Sequence, residues 1–373
     1  METPDDDDGT RTIVQAPRQA RDDDVDRHTR EFEALSLTTT GLNIRYHDGG
    51  EIGRGGSASI RQVYDRNMLR WNAVKRLDKA FAKDPTRALS FLEEARLTGQ
   101  LEHPCIVPVH EVGTAEDGSP FFSMKLVRGQ SLEAMIDGLG ADRLAPEHLD
   151  GLLRVLVKVC EAVGYAHSRG VVHRDLKPEN VMVGDFGQVY VMDWGIAHVM
   201  PKPADAEAAM EWVELPSGRR TPKGVVGTPV YMPPEQTKGD PALIDARTDV
   251  FALGGLLYHI LTGRPPHDPG PPMRVLVAAH RCEVAHPMTL CDDPRLPPGL
   301  AAVAMKALSA DPAARFPHAL AMSESLEAFA RGAWHLPRRH VPAGQRVVTE
   351  GEAGDEAYII VAGRLVVFRE GGG

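Results

Sequence analysis

One octapeptide, His-Arg-Asp-Leu-Lys-Pro-Glu-Asn at residues 173–180, constrains the fold more than any other part of the chain. It brings a carboxylate (Asp175), a cation (Lys177) and a carboxamide (Asn180) onto one short loop. A carboxylate can orient a hydroxyl and accept its proton, a cation can offset phosphate charge, and an amide oxygen can bind Mg²⁺. The alternative is a polar turn between strands, but a chance occurrence of this octapeptide is rarer than roughly one in a million. The loop therefore indicates phosphoryl transfer.

Composition and charge narrow the class of protein. The 373 residues suffice for about two domains with tails, and a net charge of −10 disfavours nucleic acid or an anionic membrane as a partner. The acidic N-terminus does not resemble a signal peptide, and the apolar run at 250–261 is too short to span a bilayer. The four scattered cysteines form no C-x-x-C pair, which suits a reducing compartment. We therefore expect a soluble, cytoplasmic protein.

The hydrophobic pattern divides the chain into five parts. Residues 1–43 are polar, Asp-rich and aperiodic, which predicts a disordered tail. Short strand-like runs and one helix occupy 44–127, helical periodicity dominates 128–331, a linker covers 332–344, and strand patterning returns at 345–373. The predicted strands are 60–64, 71–77, 106–112 and 121–126, and the predicted helices are 86–102, 149–168, 249–261, 273–282, 300–309 and 319–331.

Further motifs flank the octapeptide in a fixed order. They are Gly53-Arg54-Gly55-Gly56-Ser57-Ala58-Ser59-Ile60, Ala73-Val74-Lys75, Asp193-Trp194-Gly195, Gly227-Thr228-Pro229 and Pro233-Pro234-Glu235. In this order and spacing the chain resembles the bacterial Hanks-type (eukaryotic-like) Ser/Thr protein kinases over about residues 44–331. The resemblance implies an α+β, bilobal protein kinase fold, with a β-rich N-lobe at 44–127 and a helical C-lobe at 128–331.

An ATP site is also implied by the resemblance. Lys75 would hold the α- and β-phosphates and pair with a carboxylate on the helix at 86–102. Glu93 and Glu94 compete for that pairing; Glu94 is preferred because it lies ten residues before Pro104, and Glu93 fits a solvated helix face better. The glycine-rich run has Ala58 in place of its third glycine and would by itself indicate only a turn.

The other residues implied for ATP binding surround the adenine ring and the phosphates. Met124 would be the gatekeeper, and backbone groups of Lys125 and Val127 would hydrogen-bond adenine. The apolar members of the set fit ordinary core packing equally well. The full set is Ile52, Gly53, Gly55, Ile60, Ala73, Lys75, Met124, Lys125, Val127 and Met182.

Two Asp-aromatic-Gly tripeptides compete to be the magnesium-binding element. Asp185-Phe186-Gly187 has the family's spelling but begins only ten residues after Asp175, whereas Asp193-Trp194-Gly195 begins eighteen residues after it. Two short strands must fit after Asn180, which makes residues 184–187 their turn. We therefore assign Asp193, together with Asn180, as the Mg²⁺ ligands.

An activation segment is implied between Asp193 and Glu235. Thr228 would hydrogen-bond Asp175 and Lys177, and Thr221 is the preferred site of regulatory phosphorylation, with Arg174 as the partner of its phosphate. The remaining supports are structural. Arg315 would pair with Glu235, Asp249 would hold the backbone of the catalytic loop, and His173 would belong to that loop.

The C-terminal residues 345–373 resemble the opening strands of a cyclic-nucleotide-binding β jelly roll. The resemblance rests on Glu350-Gly351-Glu352, Gly354-Asp355 and Tyr358-Ile359-Ile360 in that order, and a generic β-meander is the alternative. The chain reaches residue 373 before any segment like the phosphate-binding cassette of that family. We therefore expect a partial jelly roll that does not bind cyclic nucleotide.

Together the motifs imply an enzyme that transfers the γ-phosphate of ATP, with Mg²⁺, to Ser or Thr hydroxyls of protein substrates and of itself, in bacterial signalling. The alternative is a pseudokinase scaffold, suggested by Ala58, Trp194 and Pro233, which depart from the family pattern. The retained Lys75, Asp175, Asn180 and Asp193 argue against it. The peptide-docking motifs at 227–235 disfavour a small-molecule kinase.

Overall fold

The computed structural model of the protein describes residues 45–202, 212–215, 224–331, 341–342, 344–347 and 366. The acidic tail at 1–43, Thr221 and most of 345–373 lie outside the described residues. Within them the chain forms a β-rich lobe followed by a helical lobe, as the sequence predicts.

A five-stranded antiparallel sheet forms the N-lobe, in the order β1-β2-β3-β5-β4. Strand β3 lies at its centre, so the residues of β3 are supported by hydrogen bonds from both sides. Two helices connect β3 to β4. The elements are β1 (Tyr46–Arg54), β2 (Ala58–Asp65), β3 (Arg70–Leu77), α1 (Lys79–Ala82), α2 (Pro85–Gln100), β4 (Val109–Thr114) and β5 (Pro120–Lys125).

Helix α2 packs on one face of this sheet. It begins after Asp84, whose side chain accepts hydrogen bonds from the first free N–H groups of the helix. Phe91 of α2 packs against Phe122 of β5 with 5.1 Å between the ring centroids. This packing fixes the rotation of α2 about its axis and thereby turns Glu94 towards Lys75 of β3.

Helix α5 runs through the centre of the C-lobe. Every residue from Thr248 to Leu261 is buried, as expected for a helix whose sequence is apolar on nearly all sides. Among the described residues, no helix is both long and apolar enough to cross a membrane. The helices of this lobe are α3 (Leu132–Leu139), α4 (Pro146–Ser168), α5 (Ala246–Thr262), α6 (Pro272–Arg281), α7 (Pro287–Leu290), α8 (Pro298–Ala307) and α9 (Ala319–Arg331).

Five short strands position the octapeptide. Strands β6, β8 and β9 form one small antiparallel sheet, and β7 pairs with β10. Residues 173–180 follow β7 and lead directly into β8, so both ends of this loop are held by paired strands. The strands are β6 (Gly129–Ser131), β7 (Val171–Val172), β8 (Val181–Gly184), β9 (Val189–Val191) and β10 (His198–Val199).

Of the elements absent from the sequence-based predictions, β1 and α3 are the longest. Most side chains of β1 are exposed or half-exposed, so β1 lacks the alternation that marks a half-buried strand. Helix α3 has eight residues, fewer than a periodicity window needs. The strand predicted at 106–112 begins only at Val109, because Ile106 instead forms a bridge to Val191.

Substitutions at two glycines can test the helix packing of the C-lobe. A Cβ at Gly254 of α5 would lie 2.6 Å from the Cβ of Ala307, whereas a Cβ at the exposed Gly151 of α4 would meet nothing within 4 Å. We expect Gly254→Ala to destabilise by about 1–3 kcal/mol through overpacking. Gly151→Ala, the matched control, should stabilise by about 0.5–1 kcal/mol because glycine is a poor helix former. Urea unfolding measures both; shifts of the same sign would contradict this packing.

Candidate active site

The catalytic loop is held by a buried carboxylate of α5. Asp249 Oδ2 accepts from the backbone N–H of His173 at 2.8 Å, and Oδ1 accepts from that of Arg174 at 2.9 Å. His167 Nε2 lies 2.8 Å from Oδ2. Burial favours a raised pKa for Asp249, but the hydrogen bond from His167 and the neighbouring donors outweigh it, so the pKa stays below its ordinary value. The ionised carboxylate therefore anchors the loop.

Asp175 is oriented from two sides. Its Oδ1 accepts from the Thr228 hydroxyl at 2.7 Å, and its backbone carbonyl accepts from Asn180 Nδ2 at 2.8 Å. Because Asn180 uses its nitrogen in this way, its amide oxygen is the atom left to bind a ligand. Lys177 is buried nearby on the same loop. Among the residues that the structure describes, no hydrogen bond joins Lys177 to Thr228.

His173 links the loop to the residues that follow β9. Its Nε2 lies 2.9 Å from the carbonyl oxygen of Met192, and its Nδ1 lies 3.2 Å from the backbone N–H of Asp175. A carbonyl can only accept, so Nε2 donates and Nδ1 accepts, which assigns the neutral Nε2–H tautomer. The ring of Trp194 packs on this imidazole at 4.5 Å between centroids and is buried. Trp194 therefore keeps the catalytic loop and the segment after β9 together.

Lys75 lies between two carboxylates. Its Nζ is 2.5 Å from Glu94 Oε1 and 3.8 Å from Asp193 Oδ1. A Cβ at Gly195 would lie 3.0 Å from Glu94 Oε2, so a glycine here lets α2 approach closely. The structure pairs Lys75 with Glu94, the carboxylate preferred from the sequence. The expectation that Glu93 occupies a solvated helix face is wrong, because Glu93 is only 5% exposed.

The two aspartates that competed for the metal role lie in different places. Asp185 is exposed in the turn between β8 and β9, which Asp185–Gly187 form as the spacing predicts. Asp193 follows β9 with a φ of 61° and faces Lys75. Of the two, Asp193 alone reaches the site. An aspartate tolerates this left-handed conformation better than most side chains do.

The residues assigned to ATP come from the strands of the N-lobe sheet and their connections, and from β8 of the small sheet. Ala73 and Met124 are buried neighbours on paired strands, and Ile60 and Val127 pack against the same cluster. Met182 lies on β8, and Ile52 of β1 is 51% exposed. The backbone N–H of Lys125 donates to Pro108 O at 3.0 Å and is therefore not available to adenine, which leaves its carbonyl.

The glycine-rich run forms the hairpin between β1 and β2. Gly53 pairs with Ile60, and Gly55 N–H donates to Ala58 O at 2.8 Å. Ala58 is the first residue of β2 and is buried in the N-lobe core opposite Leu77. The substitution of the third glycine therefore adds core packing and requires no left-handed backbone.

Two buried contacts hold the end of the activation segment. Glu235 forms a bidentate pair with Arg315, with oxygen–nitrogen distances of 2.7 and 2.9 Å, and also accepts from the Thr248 hydroxyl. Both partners are almost fully buried, as the sequence implies for this pair. Within 203–223 the structure describes only 212–215, where Val213 is buried against the C-lobe core.

Three side chains that support the site are absent from the sequence-based predictions. His167 supports Asp249, and the Tyr231 hydroxyl lies 2.6 Å from His259 Nδ1. Burial lowers the pKa of His259 to about 4 and raises that of Tyr231, so the neutral tyrosine donates to the neutral imidazole. Neither pair has a local sequence signal, because its partners are far apart in the chain.

Comparisons with known proteins agree with this geometry. The family model for the protein kinase domain matches residues 46–324. The chain is 33% identical over 307 residues to serine/threonine-protein kinase PknD of Protochlamydia amoebophila, covering 79% of this chain and 31% of that protein. It is 36% identical over 292 residues to a probable serine/threonine-protein kinase of Streptomyces coelicolor, covering 77% of this chain and 40% of that protein.

The chain thus spans only 31% and 40% of the length of these two curated relatives. The region of similarity contains both lobes, the loop at 173–180 and the Lys75–Glu94 pair. Membership of the family implies that the site uses ATP as a substrate and a divalent metal ion as a cofactor. On its matched domain and its bilobal fold, the chain belongs to the protein kinase family.

Proposed function

We propose that this chain is an active Ser/Thr protein kinase that transfers the γ-phosphate of ATP to hydroxyls of proteins, itself included. The observation that carries the proposal is the hydrogen bond from Thr228 to Asp175. Thr228 belongs to the segment assigned to peptide docking, and Asp175 is the carboxylate assigned to accept the proton of the peptide hydroxyl. The relatives named above are all Ser/Thr-protein kinases, which supports the choice of acceptor. Bacterial signalling in the cytoplasm, where ATP is supplied, is the proposed setting.

Each side chain has a distinct task in this mechanism. Asp175 orients the acceptor hydroxyl and takes its proton, and Thr228 fixes the carboxylate for that step. Lys75, held by Glu94, binds the α- and β-phosphates, and Lys177 offsets charge that develops on the transferred phosphoryl group. Most of the catalytic effect therefore comes from positioning and charge.

The residues present fit a magnesium ion. The Asp193 carboxylate and the Asn180 amide oxygen are hard oxygen ligands, and Mg²⁺ is commonly held by one or two such groups together with substrate phosphates. Among the described residues, no cluster of three or more His, Cys, Asp or Glu side chains forms a metal site of protein groups alone. When bound, the ion would neutralise phosphate charge; Asn180 and Asp193 are the residues that would hold it.

The pseudokinase alternative loses its support. Ala58 packs in the N-lobe core, Trp194 packs on His173, and Pro233 is buried beside Glu235. None of these three departures from the family pattern displaces Lys75 or Asp175. We therefore do not propose a scaffold without turnover.

Loss of either central charge should abolish transfer. Lys75→Met removes the cation that binds the phosphates. Asp175→Asn removes the proton acceptor but keeps the shape of the side chain. Each should lower activity at least a hundredfold, on the order of what one such group contributes. The measurement is incorporation of labelled phosphate from ATP with Mg²⁺ into the chain and into a Ser/Thr peptide library. Undiminished incorporation by either folded variant would contradict the assignment, and none by the wild type would overturn the proposed function.

The aspartate pair offers a matched comparison. Asp193→Asn should lower phosphoryl transfer at least about a hundredfold, because it removes a charged ligand of the metal. Asp185→Asn makes the same chemical change in the exposed turn eight residues earlier and should leave activity unchanged, with stability within about 0.5 kcal/mol. The assay is the same labelled-ATP incubation. An inactive Asp185 variant beside an active Asp193 variant would reverse the assignment.

We further propose that residues 345–373 form the first strands of a β jelly roll like that of cyclic-nucleotide-binding domains. The order of Gly354-Asp355 and Tyr358-Ile359-Ile360 supports it, and cyclic-nucleotide binding by this segment is not proposed. Paired strands should slow amide hydrogen exchange in 345–373 relative to an unfolded peptide, as measured by mass spectrometry. Exchange at unfolded rates throughout the segment would contradict strand formation.

A further inference from the structure

The residue after Glu235, Gln236, bridges two segments that both lead into the active site. Its side-chain nitrogen Nε2 donates to the carbonyl of Arg174 at 2.8 Å and to the carbonyl of Val226 at 2.8 Å. Gln236 is 1% exposed. One buried amide group thus ties the catalytic loop to the start of the substrate-side segment.

On one side of this bridge, the peptide of Arg174 determines where Asp175 points. Arg174 has a φ of 70°, a left-handed conformation that costs energy for a residue with a side chain. Its N–H is held by Asp249, and its carbonyl is held by Gln236. The strained backbone before Asp175 is therefore fixed at both of its polar groups.

On the other side, Val226 is followed by Gly227 and then Thr228. Gly227 has a φ of 116°, and a Cβ there would lie 2.7 Å from Gln236 Nε2 and 3.2 Å from Arg174 O. The amide of Gln236 thus lies directly between the two backbones. At this separation the Thr228 hydroxyl reaches Asp175 at 2.7 Å.

The chemistry of the contact favours an amide. Two carbonyls need two N–H donors, and the NH₂ of glutamine supplies both without a charge. A carboxylate would repel both carbonyls, and a buried lysine or arginine would have to be desolvated without an anion beside it. Asparagine is one methylene shorter.

We propose that Gln236 is a positioning residue, which sets the spacing between Arg174 and Val226 so that Thr228 orients Asp175 towards the acceptor hydroxyl. This inference rests on the proposed kinase function. Gln236 acts through Thr228, and its loss affects the protein acceptor more than ATP, because Lys75 and Glu94 lie on the other lobe.

A merely structural role makes different predictions. A buried amide that only satisfies two carbonyls would, when removed, lower stability and the fraction of folded enzyme. The Michaelis constants of the folded enzyme would then be unchanged, and the effect would add to that of a second substitution. A positioning role changes the kinetics of the acceptor peptide and is not additive with a change at Thr228.

The test is a double-mutant cycle with Gln236→Met, which keeps the length of the side chain without its donors, and Thr228→Val. Each single variant should lower kcat/KM for the best library peptide roughly tenfold to a hundredfold, as expected for a lost buried hydrogen bond in the transition state. The KM for ATP should stay within about twofold. The double variant should lose little more than the worse single variant. Gln236→Asn should behave like Gln236→Met, and it serves as the second variant if the methionine protein does not fold.

Tyr258→Phe is the matched control, because it removes a partly buried hydrogen bond from the Tyr258 hydroxyl to Ala285 O, 3.0 Å long, elsewhere in the C-lobe. It should lower the melting temperature without changing peptide kinetics. Additive losses at Gln236 and Thr228, or Gln236 variants whose peptide kinetics match those of Tyr258→Phe, would overturn the inference. Failure of the wild type to transfer phosphate would instead overturn the proposed function.

Discussion

The site depends on one buried carboxylate, that of Asp249, in a helix that is shielded from solvent along almost its whole length. Asp249 binds two consecutive backbone N–H groups, those of His173 and Arg174, and so holds a left-handed residue that the loop would not keep by itself. Because α5 is buried along its length, this anchor moves only if the C-lobe core moves. The loop that carries Asp175 is therefore held in place by the packed core of the C-lobe.

Two further connections bring the remaining groups to that loop. Lys75 comes from the sheet of the N-lobe, and its contacts with Glu94 and Asp193 join the N-lobe helix to the segment after β9. Thr228 comes from the end of the activation segment, which Glu235 and Arg315 fasten to the C-lobe. The site is therefore assembled from both lobes, and neither lobe contains it alone.

Glycines and strained residues lie where backbones must approach closely. Gly195 admits Glu94, and Gly227 admits the amide of Gln236. Arg174 and Asp193 both have positive φ angles. Such conformations persist only where the surroundings hold them. Arg174 directly precedes Asp175, which is assigned to catalysis, and Asp193 is itself assigned to metal binding.

Short contiguous motifs determined the family, the bilobal plan and the choice of Asp193 over Asp185, because each depends on residue order and on the room that two strands and a turn require. Burial does not distinguish Glu93 from Glu94, since both side chains are buried. The two side chains point about 100° apart around the helix axis, so the rotation of the helix decides which of them faces Lys75. Only the packing of α2 on the sheet turned Glu94 towards Lys75. The contact of Gln236 with Arg174 joins residues 62 positions apart. No local pattern encodes such a contact, because it exists only once α5, the loop and the activation segment are packed together.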